Sequence, residues 1–209
     1  FLFMFGLRSC PLVFGRLSCG HVVGVCKRFA SATKLDDYVK LDLLEKEDPK
    51  TVKKIWVEYH RNQHCVSAII EPKVFNELVP RTNESPLFVV PLPRKEHYET
   101  MYVQCRGNSW LITPLHDFQK DGELAKPVIN VQFFTELANS KDLVLMRGDI
   151  HTEQLSVQHA QTLINQIQIF YLNEELYKQH IKVFNYSPQN FDYNGVIQSL
   201  ESLGVSKKE

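Results

Sequence analysis

The chain has 209 residues, room for one domain with a tail. Hydrophobic residues make up 44% and charged residues 23%, the balance of a globular core with a solvated surface rather than of a disordered chain. Lys and Arg total 24, as do Asp and Glu, so the chain lacks the strong basic excess of a nucleic-acid binder.

That balance hides an asymmetry. Arg8, Arg16, Lys27 and Arg28 lie within residues 1–33, and no acidic residue precedes Asp36. With those four set aside, 20 basic residues face 24 acidic ones, leaving the rest of the chain at −4. An acid-free stretch with Arg and with Ser9, Ser18 and Ser31 has the composition of a mitochondrial transit peptide. Phe1 to Phe5 would suit a secretory signal, but Arg8 and Arg16 cut the apolar run short. The same interruptions exclude a spanning helix, which needs about 20 largely apolar residues. Arg28-Phe29-Ala30-Ser31 fits matrix processing, with Arg two residues before the cut. The expected address is the mitochondrial matrix. Cys10, Cys19 and Cys26 fall in this leader and leave Cys65 and Cys105 in the body, too few for a disulfide framework.

Residues 34–47 are polar with scattered Leu and read as a linker or helical arm. A domain over 48–204 and a tail of 205–209 follow. Asp48-Pro49 offers an N-cap and a first-turn proline. Val52, Ile55, Trp56 and Tyr59 then recur at helical spacing and predict one apolar face. Val66 to Ile70 predicts a strand, and Pro72 opens a helix with Val74, Phe75, Leu78 and Val79 inward. Leu87 to Arg94 is apolar but holds Pro91 and Pro93, so it must be an edge strand or leave the sheet. Thr100–Gln104 and Trp110–Thr113 flank the turn at Arg106-Gly-Asn-Ser109, a hairpin signature. Thr113-Pro114 is expected to cap a short helix stopped at Gly122 in a left-handed conformation. Val128 to Phe134 and Leu143 to Met146 predict two more strands, the latter interior because it is apolar on both faces. Arg147-Gly148 is expected to carry it out of the sheet.

Ser156 can cap a helix with Ala160, Leu163, Ile164, Ile167 and Phe170 inward. Glu174 to Phe184 continues in helical pattern, and Ser187-Pro188 is expected to start a last helix ended by Gly204. The sum is a single α+β domain: an antiparallel or mixed sheet flanked by N- and C-terminal helices.

Reaction chemistry is hard to find. Neither G-x-G-x-x-G, nor G-x-x-x-x-G-K-[ST], nor G-x-S-x-G occurs, so no cofactor is expected. His60 and His64 share a helix spacing that could bind zinc, but Arg61 stands where a metalloprotease has Glu. His64 and His60 read instead as helix-terminal residues. His116, Asp149 and His151 are the groups a hydrolase would use, and no nucleophile or oxyanion hole accompanies them. Arg147-Gly148-Asp149 spells an adhesion tripeptide, but on a strand end and behind a mitochondrial leader it has neither the loop nor the address.

Lys54-Ile-Trp56 with Tyr59-His60, Val66 to Ile70, Pro91-Leu-Pro-Arg94, Asp121-Gly-Glu123, Leu143 to Met146, and Ala160-Gln161 through Phe170-Tyr171 occur in that order. As a set they resemble the mitochondrial F1-ATP synthase assembly factor 1 family, over about Lys50 to Leu203. The resemblance implies a chaperone, not an enzyme, with no catalytic or metal residues. Its partner would be the free β subunit of F1, protected from aggregation and released to the α subunit. The chain would act as a monomer, without nucleic acid and without membrane insertion. Arg94, Gly122 and Glu123 match the family pattern and become the candidate partner-binding residues.

Overall fold

The computed structural model describes residues 33–95 and 97–204; the expected leader and the 205–209 tail lie outside them, apart from Thr33. Strands β1 (Cys65–Ile70), β2 (Leu87–Pro93), β3 (Tyr98–Arg106), β4 (Ser109–Pro114), β5 (Ile129–Phe134) and β6 (Val144–Ile150) form one sheet in the order β1-β6-β5-β4-β3-β2. Every pairing is antiparallel. Helices are α1 (Leu41–Leu44), α2 (Pro49–His60), α3 (Pro72–Glu84), α4 (Leu115–Asp121), α5 (Ala138–Lys141), α6 (Val157–Leu172), α7 (Glu174–Leu176), α8 (Val183–Tyr186) and α9 (Tyr193–Ser202). This is the expected α+β domain, with its sheet wholly antiparallel.

Side chains alternate across the pleat, so each strand feeds two cores. On one face Val66, Phe88, Val103, Ile112, Val131 and Met146 meet Leu163, Ile167 and Phe170 of α6. The other face is capped at its β1–β6–β5 end by a smaller cluster of Leu35, Leu44, Val52, Trp56, Phe134, Leu137, Leu143 and Leu145. Residues 34–47 are thus packed: Leu35 and Leu44 are buried under the sheet.

Several local signals act as the sequence implies. Asp48 accepts from the amides of Lys50 and Thr51, and Ser156 Oγ accepts from the His159 amide. β2 is an edge, as Pro91 and Pro93 require, and β6 is interior.

Others differ. In α2 the buried stripe is Val52, Trp56 and His60, while Ile55 and Tyr59 are exposed, because the helix leans on the sheet through positions four apart. β6 does not end at Arg147 but runs to Ile150, since Arg147, Gly148 and Asp149 all pair with β1. Gly148 suits that interior position: a Cβ there would lie 3.1 Å from Ile164 Cδ1 of α6. Thr113 does not cap α4, whose N-cap is Pro114 without a side-chain bond. Gly122 has a positive φ of 54° but a ψ of −129°, a backbone region open to glycine rather than the left-handed helical one. Ser187-Pro188 opens only a 3-10 turn, and Asp192, accepting from the Asn194 amide, caps α9. Between α7 and α8 the helix widens into a π-helical segment, Tyr177–Lys182, which turns Tyr177, His180 and Ile181 inward together.

Candidate functional site

Arg94 follows Pro93 where β2 turns into β3, and its amide donates to the His97 carbonyl. Its guanidinium donates to Glu99 Oε2 through Nε (2.9 Å) and Nη2 (2.7 Å), and Nη1 approaches His159 Nδ1 at 3.5 Å. Arg94 therefore ties the hairpin to itself and to the first turn of α6. It also lines an open groove of about 430 Å³ at the end of the sheet, together with His97, Met101, His116, Asp117 and Thr152. Gly122 and Glu123 do not line this groove. They sit on the tight turn after α4, where the Ala125 amide donates to the Gly122 carbonyl and Leu124 stands almost fully exposed at 87%. The three candidate residues thus fall on two neighbouring surfaces.

His116 and Asp149, two of the hydrolase groups, are held by different partners. His116 is exposed and bonded to Asp117 (3.2 Å), whereas the Asp149 carboxylate accepts from Tyr38 Oη at 3.0 Å and from Arg147 Nε at 2.7 Å. Arg147 in turn donates to Gln63 Oε1 and lies 4.3 Å from the Tyr38 ring centroid. Arg147 and Asp149 of the adhesion tripeptide form a clamp that holds the N-terminal arm and the turn after α2 on the sheet. Burial and the Asp149 charge both push the Tyr38 hydroxyl above its ordinary range, so it stays a donor.

His60 and His64 do not share a ligand site. His60 Nδ1 donates to the Trp56 carbonyl at 2.7 Å inside the small core, and burial holds its pKa below the ordinary value. His64 is exposed, with Nε2 3.4 Å from the Thr152 carbonyl. Among the described residues no group of three or more His, Cys, Asp or Glu side chains could hold a metal ion, and no helix is long and apolar enough to cross a membrane. Burial raises the thiols of Cys65 and Cys105, so neither is a ready nucleophile.

The sequence reading missed two features. Asn185 of α8 closes the β2 edge, its Oδ1 accepting from the Leu87 amide (3.2 Å) and its Nδ2 donating to the Leu87 carbonyl (2.7 Å). No local motif announces a partner 98 residues away. The second is the exposed apolar flank of α2, Ile55 and Tyr59; its signal was present, as an apolar stripe wider than a single contact needs.

An apolar helix flank and an open, mostly polar groove are surfaces suited to binding other proteins. The model of the family described as ATP11 protein matches residues 25–197, and the chain belongs to that family. It is similar to the ATP synthase mitochondrial F1 complex assembly factor 1 of Danio rerio, 29% identical over 178 residues, covering 85% of this chain and 59% of that protein. The Homo sapiens protein of the same name is 30% identical over 183 residues, 87% of this chain and 56% of its own. Protein atp11, mitochondrial, of Schizosaccharomyces pombe is 26% identical over 156 residues, 72% and 54% respectively. The chain spans somewhat over half the length of these relatives.

Proposed function

We propose that this chain is an assembly chaperone of the mitochondrial F1-ATP synthase, working in the matrix as a monomer. It binds the free β subunit, keeps it from aggregating and yields it to the α subunit. The observation that carries this reading is membership of the ATP11 family together with relatives named as F1 complex assembly factors. The physical logic supports it. An unpartnered β subunit exposes a large apolar interface meant for α, which is an aggregation hazard. A chaperone contact of standard size, roughly 1,200–2,000 Å², gives specificity without the affinity of a permanent interface. The α subunit then displaces it by forming the larger contact, and no nucleotide is consumed. The turn at Gly122 and Glu123, with the exposed Leu124, supplies partner contacts, and Arg94 holds the groove rim beside it.

Co-purification from mitochondrial extract with a tagged chain tests this. The β subunit is expected in the eluate, and added α subunit is expected to remove it. An eluate without β, or one that α leaves unchanged, would overturn the reading.

A further inference from the structure

The two edges of the sheet are treated differently. In an antiparallel ladder each residue turns its N–H and C=O to the same side, and successive residues alternate sides. The Cys105 amide donates to the Pro86 carbonyl in register with the β2–β3 pairing, so the even-numbered residues of β2 face β3. Leu87, Val89, Pro91 and Pro93 therefore face outward. Leu87 has both backbone groups taken by Asn185, and the two prolines have no N–H to offer. Val89 alone of the four retains an open donor, so this edge is sealed against another strand.

β1 is the other edge. The His151 amide donates to the Val128 carbonyl, which places the odd-numbered residues of β6 toward β5 and the even-numbered ones toward β1. Through the register Val66↔Gly148, Ala68↔Met146 and Ile70↔Val144, those three β1 residues bond inward. Cys65, Ser67 and Ile69 turn their N–H and C=O outward, and no described residue bonds to them. No proline, charged side chain or bulge interrupts Cys65 to Ile70. Among the described residues, no proline, charge, bulge or bonded segment defends this edge.

We infer that β1 is a docking edge onto which an F1 subunit adds an extended, uncharged, apolar segment as a seventh strand. This rests on the assembly role proposed above and names how the partner is held. The occupant's chemistry follows from β1. Its uncharged side chains face the main core through Val66 and Ile70 and the small core through Ile69, so a β-branched or aromatic neighbour on either face gains cross-strand contact and a charged one does not. Strand addition takes affinity from main-chain bonds, which suits a partner that must be recognised while incompletely assembled. The neighbouring surface is continuous with it, since His64, just before β1, reaches Thr152 on the groove wall.

The test uses the full chain, labelled for amide-resolved hydrogen exchange, with purified β subunit. In the free protein the amides of Ser67 and Ile69 exchange fast while those of Ala68 and Ile70 are slow. On binding, Ser67 and Ile69 become slow, and Ser67→Pro, which removes an outward donor and no inward bond, weakens binding about tenfold. Binding of β with unchanged exchange at Ser67 and Ile69 would overturn the strand while leaving the assembly role intact. Failure of β to bind at all overturns both. Slow exchange at these amides in the free chain, or a dimer that Ser67→Pro dissolves, would assign the edge to the chain itself or to a second copy, and overturns the inference as well.

Discussion

At the scale of single residues, the two buried histidines set a pH limit on the fold. His60 is enclosed with Trp56, and His180 sits 3.0 Å from Ser199 Oγ with its ring against Phe170. Burial, the first cause in each case, lowers both pKa values below the ordinary 6.5. Their neutral forms belong to the folded state, so their contribution is full above about 6.5 and is lost as pH falls through that value toward the lower folded ones. Unfolding by urea at several pH values should show the midpoint dropping between pH 6.5 and 5.5, with His180→Gln reducing the drop. A midpoint constant over that window would contradict the assignment. Caps were readable at this scale because Asp48 and Ser156 act on amides two or three residues away. The Arg147 clamp was not, since Tyr38 and Gln63 reach it only through the tertiary fold.

At the scale of elements, proline and asparagine share the closing of β2. Asn185→Ala leaves the amide and carbonyl of Leu87 without their partners, at a cost of about 1–3 kcal/mol. It should also raise the tendency of the protein to associate at high concentration, because an open edge is a template for pairing. Thermal unfolding and light scattering read the two effects, and an unchanged melting temperature would remove Asn185 from this role. The strands were legible because period-two patterning and Pro91 and Pro93 act locally. The end of β6 was not, because Arg147 and Asp149 look like loop residues until β1 and β5 are seen on either side of them. The π-helical segment escaped for a related reason: its sequence, Tyr177 to Lys182, keeps an ordinary helical composition.

At the scale of the whole molecule, the sheet carries a large core on one face and a small one on the other, and the arm of residues 34–47 closes the small one. Arg147, only 12% exposed in its side chain, joins the arm to the sheet and to the turn after α2. Arg147→Ala should cost about 1–3 kcal/mol, as Asp149 and Tyr38 lose their common partner. It should also expose the arm to limited proteolysis before the rest of the domain. Equal cleavage rates in the two proteins would show that Leu35 and Leu44 hold the arm without the clamp. The fold class and the family resemblance were legible in the order of apolar segments along the chain. The division into two cores was not, because nothing in the spacing of Leu35 and Leu44 says which face they will cover.

The strand order also has a consequence in time. From β2 to β6 each strand pairs with the next in sequence, so each can add to the one before it as a meander. β1 must wait: its only pairing is with β6, the last strand of the sheet. Entering a compartment N-terminus first, the chain would hold Cys65 to Ile70 unpaired until Val144 to Ile150 had followed. The edge inferred to hold the partner is thus the last piece of the sheet to find its own place. A protein proposed to shield another's incomplete surface would pass through the same exposure while it folds.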